Sequence, residues 1–265
     1  MEAAEEHGAL SYAKDITRHR PQWKSGWEAF GGGHLVFIAK GAPVGRAHGL
    51  GFAGNVTTQD VEHVEEFYFQ RETAAQVDVC PYADPSLFES LNQRGFQVAE
   101  FNQTLARWIL PHERFGAKLK GVEIRRIKTE EAEQWTQLPA RIFFADKWQQ
   151  YANFFRPWAS PRRPLTLAAF VDGQMVGAAS GLIVKEQKLA AFFSACTLPE
   201  FRERGIQSAF MQERLRIAHK AGCDLAVTLT MPGTTSQRNV ERAGFRVAYT
   251  KVVCSKPFSA AKQRE

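Results

Sequence analysis

The chain has 265 residues, 44% of them hydrophobic, with a formal net charge of +6 from 34 basic and 28 acidic side chains. That size suits one large or two modest packed domains, and two is the preferred division. The mixed signs argue against a continuous nucleic-acid-binding footprint and favour anionic ligands only weakly. Cys80, Cys196, Cys223 and Cys254 sit within or beside apolar runs, without the paired spacing of zinc or redox sites. Free thiols in a reducing compartment, and no metal, are expected. Met1 is followed by Glu2-Ala3-Ala4-Glu5-Glu6, the wrong charge for a signal peptide, and no apolar run reaches membrane-spanning length. A cytoplasmic location with no membrane partner follows as the expectation.

Residues 3–19 place Leu10, Tyr12, Ala13 and Ile16 on one side of a predicted helix that ends at Pro21. Gly31-Gly32-Gly33 reads as a hinge before a hairpin, His34 to Ala39 and Val44 to Phe52. Gln59 to Gln70 is an amphipathic helix, Ala75 to Cys80 a strand, Pro81 to Arg94 a helix, and Phe96 to Ile109 a long strand. Pro111 and the polar residues after it read as a linker, dividing the chain into 1–115 and 120–265. Then come a strand at Val122 to Ile127 and a helix opened by Thr129. An aromatic stretch runs from Ile142 to Trp158, and a hairpin follows around Asp172-Gly173. Asp224 to Thr230 is a strand, Thr235 to Ala243 a helix, and Phe245 to Val253 the final strand.

Two segments resemble one another. Val77 to Cys80 is followed by Pro81, Ser86, Leu91 and Gly95-Phe96; Val227 to Thr230 is followed by Pro232, Ser236, Val240 and Gly244-Phe245. Both read strand, Pro, helix, Gly-Phe, strand, with Gly supplying the left-handed helix stop. Only the second half carries a strand, Leu189 to Thr197, that ends in a basic turn around Gly205 and opens a helix continuing to Ala221. Such a turn leaves the first N–H groups of the helix free at its positive end, a site suited to phosphate. Arg202 and Arg204 lie beside it.

The run Thr197-Leu-Pro-Glu-Phe-Arg-Glu-Arg-Gly-Ile-Gln-Ser208 resembles the pyrophosphate motif of the GNAT superfamily of N-acetyltransferases, Gln/Arg-x-x-Gly-x-Gly/Ala. Arg202 and Gly205 match, and Gln207 stands where Gly or Ala is usual. Ser236 to Phe245 resembles the family's later helix and its Gly-Phe ending. The order of elements from Val122 to Val253 agrees, and the first half resembles a degenerate second copy. The resemblance implies an α/β (α+β) fold of two halves, each a mixed, mostly antiparallel sheet flanked by helices. It also implies acetyl-CoA, or another acyl-CoA, as co-substrate. Its donor would contact Cys196, Thr197, Leu198, Arg202, Arg204, Gly205, Ile206, Gln207, Ser208 and Asn239.

The implied reaction is direct transfer of an acetyl group to an amine, most simply on a small molecule. It requires a neutral amine, an oxyanion stabiliser and a proton for the leaving thiolate. A strand N–H near Cys196 or Thr197 suits the second role. The family's usual Tyr acid is replaced by Val240, which leaves Ser236, one turn earlier on the same face, as the candidate catalytic group; a helix-capping hydroxyl is its alternative role. No general base stands out: His48 and His63 read as structural or exposed, His219 as a surface or helix-C-terminal dipole residue, and Cys196 as a buried small thiol. Trp148, Tyr151 and Phe155, interleaved with polar residues, are the candidate acceptor-binding residues, although aromatics at this spacing usually pack. A non-catalytic acyl-CoA sensor is the alternative reading, and an interaction module using the tail from Lys256 to Arg264 is a weaker one. The expected assembly is a monomer or homodimer.

Overall fold

The computed structural model describes residues 1–42, 44–116 and 119–259, so residues 260–265 of the basic tail lie outside the described residues. Helix α1 (Glu2–His19) buries Ala4, Tyr12, Ala13 and Ile16, the predicted face. Strands β1 (Gly26–Phe30) and β2 (Gly33–Phe37) then pair antiparallel from Gly26↔Phe37 to Phe30↔Gly33. The glycine triplet is therefore a hairpin turn and not a hinge, with Gly31 and Gly32 at φ 58° and 82°. Gly33 is fixed by contact: a Cβ there would stand 2.0 Å from the His48 carbonyl oxygen. The expected Val44 to Phe52 strand shrinks to β3 (Ala47–His48), beside β2.

Helix α2 (Thr58–Phe69) leads to β4 (Ala75–Val79), parallel to β3 at Ala47↔Val77. Helix α3 (Pro85–Gln93) precedes the long β5 (Gln97–Trp108). Next come β6 (Glu123–Arg126), α4 (Ala132–Phe144), α5 (Trp148–Phe155), β7 (Leu167–Val171) and β8 (Gln174–Val184). The β7–β8 turn has positive φ at both Asp172 and Gly173, as a tight two-residue hairpin requires. The chain closes with β9 (Leu189–Thr197), α6 (Ile206–Lys220), β10 (Leu225–Thr230), α7 (Thr235–Arg242) and β11 (Arg246–Lys256). Among the described residues no helix is long and apolar enough to cross a membrane.

Packing divides the chain into one unit of residues 1–103 together with the chain from Tyr249 onward, and a second of Thr104–Ala248. This differs from the division at 115–120 in that the chain from Thr104 on joins the second unit and β11 from Tyr249 on joins the first. In that unit the order β1-β2-β3-β4-β11 is antiparallel except at β3–β4, and β11 pairs β4 from Val252↔Val79 to Lys256↔Ala75. In the second, β6-β7-β8-β9 are antiparallel and β9–β10 parallel. Each is thus a mixed, largely antiparallel sheet flanked by helices. The two helix stops expected from the Gly-Phe pairs form alike: Phe96 N–H donates to Leu91 O at 3.0 Å and Phe245 N–H to Val240 O at 3.3 Å.

The first unit has an ionic centre. Lys251 is fully buried, with Nζ 2.5 Å from Glu5, 3.2 Å from Asp78 and 3.5 Å from Glu2. Asp78 also meets His48 at 2.8 Å and Arg46 at 3.3 Å, and these partners together with Lys251 hold its carboxyl well below the usual range despite burial. Burial is the largest influence on Glu5 and pushes its carboxyl up to about 7, against the opposing pull of Lys251. Removing one member of a buried ionic group costs about 3–5 kcal/mol because its partners stay behind unpaired. Lys251→Met should therefore lower the opening free energy of β4 and β11 amides by about that amount, as read by hydrogen exchange. Glu5 adds a pH dependence. A raised carboxyl keeps its proton in the folded state, so its contribution to stability is present in acid and is lost as pH rises from about 4.5 to about 7. In Glu5→Gln, the thermal midpoint measured across that window should lose this slope.

Candidate functional site

The site arises where two parallel strands stop pairing. β9 and β10 are in register from Leu189↔Leu225 to Phe192↔Thr228. On its other side β9 pairs β8, but the register jumps between Phe193↔Ser180 and Cys196↔Ala178, so Ser194 and Ala195 together face Ala179. This is a bulge, which bends a strand and leaves the extra residue outside the ladder. Ser194 adopts φ 44°, an uncommon conformation for a non-glycine residue. The outer part of β9, from Phe193 to Thr197, and Thr228 and Leu229 of β10 line a cavity of about 970 Å³.

The basic turn forms the outer rim. Gly205, at φ 79°, is the N-cap of α6 and offers no side-chain cap. The N–H groups of Ile206, Gln207 and Ser208 consequently lack intrahelical partners at the positive helix end. Gln207, where a small residue was expected, turns back: its Nε2 donates to Thr197 Oγ1 at 2.8 Å. Arg202 Nε donates to Thr197 O at 3.4 Å. Both side chains tie the turn to the end of β9. Cys196, Thr197, Arg202, Gly205, Ile206, Gln207, Ser208 and Asn239 all line the cavity. Leu198 and Arg204 do not; Leu198 packs into the core and Arg204 covers the Phe201 ring at 5.0 Å. A glycine turn, free helix amides and Arg202 form a donor set suited to a pyrophosphate, so these residues fit the group the motif implies.

Ser236 is exposed and lines the cavity; the α7 cap is Thr234, whose Oγ1 accepts from Gln237 N–H, so Ser236 does not cap the helix. The acceptor residues expected from the aromatic stretch are not brought to the cavity. Phe155 is buried with Trp148 packed against its cluster, and Tyr151 stacks on Phe144 at 4.0 Å. Ala145, at φ 42°, breaks the helix between α4 and α5 and redirects the chain. From this segment Ile142 and Phe143 line the cavity instead. Burial pushes the Cys196 thiol up to about 12, which leaves it no thiolate character at neutral pH. His48 is held by Asp78, His63 by Glu28 at 2.7 Å, and His219 meets the Pro111 carbonyl at 3.0 Å.

Sequence reasoning missed two features. One is the bulge, which no glycine marks. The other is Arg214, a cavity-lining guanidinium that is only 3% exposed; the signal that could have found it is its spacing from Phe210, Met211 and Ala218, which puts it on the apolar stripe of α6.

A bulged strand parting from its parallel neighbour and a bare helix N-terminus meet at one cavity, an arrangement able to hold an anionic ligand. Residues 124–245 match the acetyltransferase (GNAT) family, and this part of the chain is a GNAT acetyltransferase domain. No curated protein matches the sequence significantly. Among solved structures, the chain is similar to a GCN5-related N-acetyltransferase from Kribbella flavida at 16% identity and TM-score 0.62, covering 97% of both chains. It is similar to a tandem GNAT protein from the clavulanic acid biosynthesis pathway at 14% identity and TM-score 0.62, covering 84% of this chain and 77% of that one. A GCN5-related N-acetyltransferase from Sphaerobacter thermophilus aligns at 19% identity and TM-score 0.57, covering 75% of this chain and 67% of that one. These likenesses establish the fold.

The left-handed backbone at Ser194 gives a direct test of the bulge. Ser194→Val should destabilise the protein by about 1–2 kcal/mol and lower the opening free energy of the β8 and β9 amides around the bulge, because a β-branched residue resists φ near +44°. Ser194→Gly should keep both properties. Thermal melts with hydrogen exchange would show the contrast.

Proposed function

We propose that this protein is an N-acyltransferase that moves an acetyl (acyl) group from acetyl-CoA or another acyl-CoA, by direct transfer, to an amine on a small molecule. The observation that carries the reading is the convergence of the β9 bulge and the uncapped N-terminus of α6 on one cavity. Acetyl-CoA would supply an activated thioester. The amides from Arg204 to Ser208, with Arg202, would take its pyrophosphate, and β9 from Ala195 to Leu198 would carry its pantetheine arm. Leu198 N–H donates to Val176 O on the β8 side, so by strand alternation the N–H of Thr197 faces away from β8, and it or an N–H of the bulge at Ser194 and Ala195 would polarise the thioester carbonyl.

In the transfer, the amine nitrogen bonds to the thioester carbon, the carbon–sulfur bond breaks, the amine loses a proton and the thiolate gains one. Ser236, through a water, is the group we assign to the thiolate proton. Glu203 is the one carboxylate among the described lining residues, and it sits on the turn, away from β9. The amine therefore enters neutral and releases its proton to solvent. Ile142 and Phe143 form the acceptor side, backed by Trp148, Tyr151 and Phe155.

The two units support a division of labour. The N-terminus of α2 is closed by its own capping box, Thr57 Oγ1 accepting from Asp60 N–H at 3.2 Å and Asp60 accepting from Thr57 N–H at 2.7 Å. That of α6 has no side-chain cap. This contrast favours a donor site in the GNAT domain alone, with the first unit a degenerate copy. All four cysteines are free and buried, which favours the cytoplasm. A monomer or homodimer remains the assembly we expect.

A second reading, an acyl-CoA sensor, is favoured by Val240, a cavity-lining aliphatic residue where the family's Tyr acid would stand. Thiol release from acetyl-CoA against a library of amines separates the two. The enzyme reading expects acceptor-dependent release and, in Ser236→Ala, a kcat at least about tenfold lower at unchanged KM for acetyl-CoA. Binding without release under every amine would establish the sensor.

A further inference from the structure

The inner end of the cavity holds a charge that the transfer reaction does not use. Arg214, on the inward face of α6, is 97% buried if its 3% exposure is subtracted from the whole, and it lines the cavity with Met211, Phe192 and Thr228. Its contacts are all with neutral groups. Nη1 lies 3.5 Å from the carbonyl oxygens of Ser180 and Phe193, at the outer limit of hydrogen bonding. Nη2 lies 4.0 Å from Met211 Sδ, and the guanidinium covers the Phe192 ring at 4.7 Å. Nε is buried and has no partner. No carboxylate among the described residues pairs with this cation.

Burying an unpaired charge is costly, and neutral dipoles at such distances do not offset the loss of water. The guanidinium edge formed by Nε and Nη2 is free of oxygen partners, and that edge is the fork that receives a carboxylate through two parallel N–H···O bonds. Position narrows the ligand further. At 1.5 Å per residue, Arg214 lies about 12 Å along α6 from its first residue, Ile206. A pantetheine arm anchored at the turn spans such a distance. The acyl end of the donor therefore arrives at the guanidinium.

We propose that Arg214 selects the acyl donor, and that the cavity accepts an acyl-CoA whose acyl chain ends in a carboxylate, such as a malonyl or succinyl thioester. This rests on the acyl-CoA reading of the site. Arg214 binds the distal carboxylate, the thioester carbonyl stays at the β9 bulge, and the bonds made and broken in transfer are those already given.

Calorimetric titration of CoA, acetyl-CoA, malonyl-CoA and succinyl-CoA into the full chain, as wild type, Arg214→Met and Arg214→Lys, tests it. The wild type should bind at least one carboxylated donor about tenfold or more tighter than acetyl-CoA, the scale of a charge-assisted hydrogen bond. Arg214→Met should erase that preference while its Kd for CoA and acetyl-CoA stays within about twofold, and Arg214→Lys should keep part of it. The Arg214→Met melting temperature should not fall, since the variant removes an unpaired buried charge. The inference is overturned if wild type binds acetyl-CoA as tightly as both carboxylated donors. It is equally overturned if Arg214→Met weakens all four ligands alike or lowers the melting temperature, as a structural support for the Ser180 and Phe193 carbonyls would. Failure of CoA itself to bind would instead remove the donor reading on which the inference depends. Should Arg214→Met not fold, the wild-type preference and the Arg214→Lys titrations decide the matter.

Discussion

Everything at the candidate site depends on one interruption of backbone pairing. β9 and β10 run parallel for four paired positions and then separate, because the bulge at Ser194 and Ala195 turns β9 away. Unpaired backbone groups are costly in a packed interior and are tolerated where solvent or a ligand can reach them. The turn after β9 extends the same logic, exposing the amides of α6 with no side chain to cap them. Arg202 and Gln207 hold that turn to Thr197, so the two unsatisfied stretches of backbone keep a fixed spacing.

Much of this arrangement was legible because local backbone demands leave marks on composition. Asp172-Gly173 announces its hairpin, Gly205 its helix start, and Gly95-Phe96 and Gly244-Phe245 their helix stops. Each is a position where the chain needs positive φ and the sequence supplies a residue that tolerates it. Ser194 needs the same conformation without glycine, and so gave no signal. β1 hid for another reason: Gly26-Trp27-Glu28-Ala29-Phe30 alternates between half-buried and exposed, too weakly to outweigh the glycine triplet beside it.

The features missed entirely are those made by distant parts of the chain. Arg214 stands four residues after Phe210, three after Met211 and four before Ala218, on the buried stripe of α6, so periodicity already points it inward; what the sequence does not show is that the neutral Ser180 and Phe193 carbonyls would meet it there. Trp148, Tyr151 and Phe155 fail for the complementary reason: their spacing is right for a lining face, but the break at Ala145 turns that face toward other aromatics. The basic turn at the rim of the cavity is written in consecutive residues, whereas the rest of its lining is assembled from α4, α6 and β9.

The placement of the last strand bears on how the molecule comes into being. During synthesis, residues 1–103 leave the ribosome long before Val252 to Lys256, the residues that pair with β4. Until then the growing chain has Glu5 and Asp78 without the ammonium of Lys251 between them, and β4 has one edge without its β11 partner. An exposed edge of that kind recruits whatever strand is at hand. The early part of the chain thus stays incomplete until Val252 to Lys256, translated well after it, arrive to pair with β4.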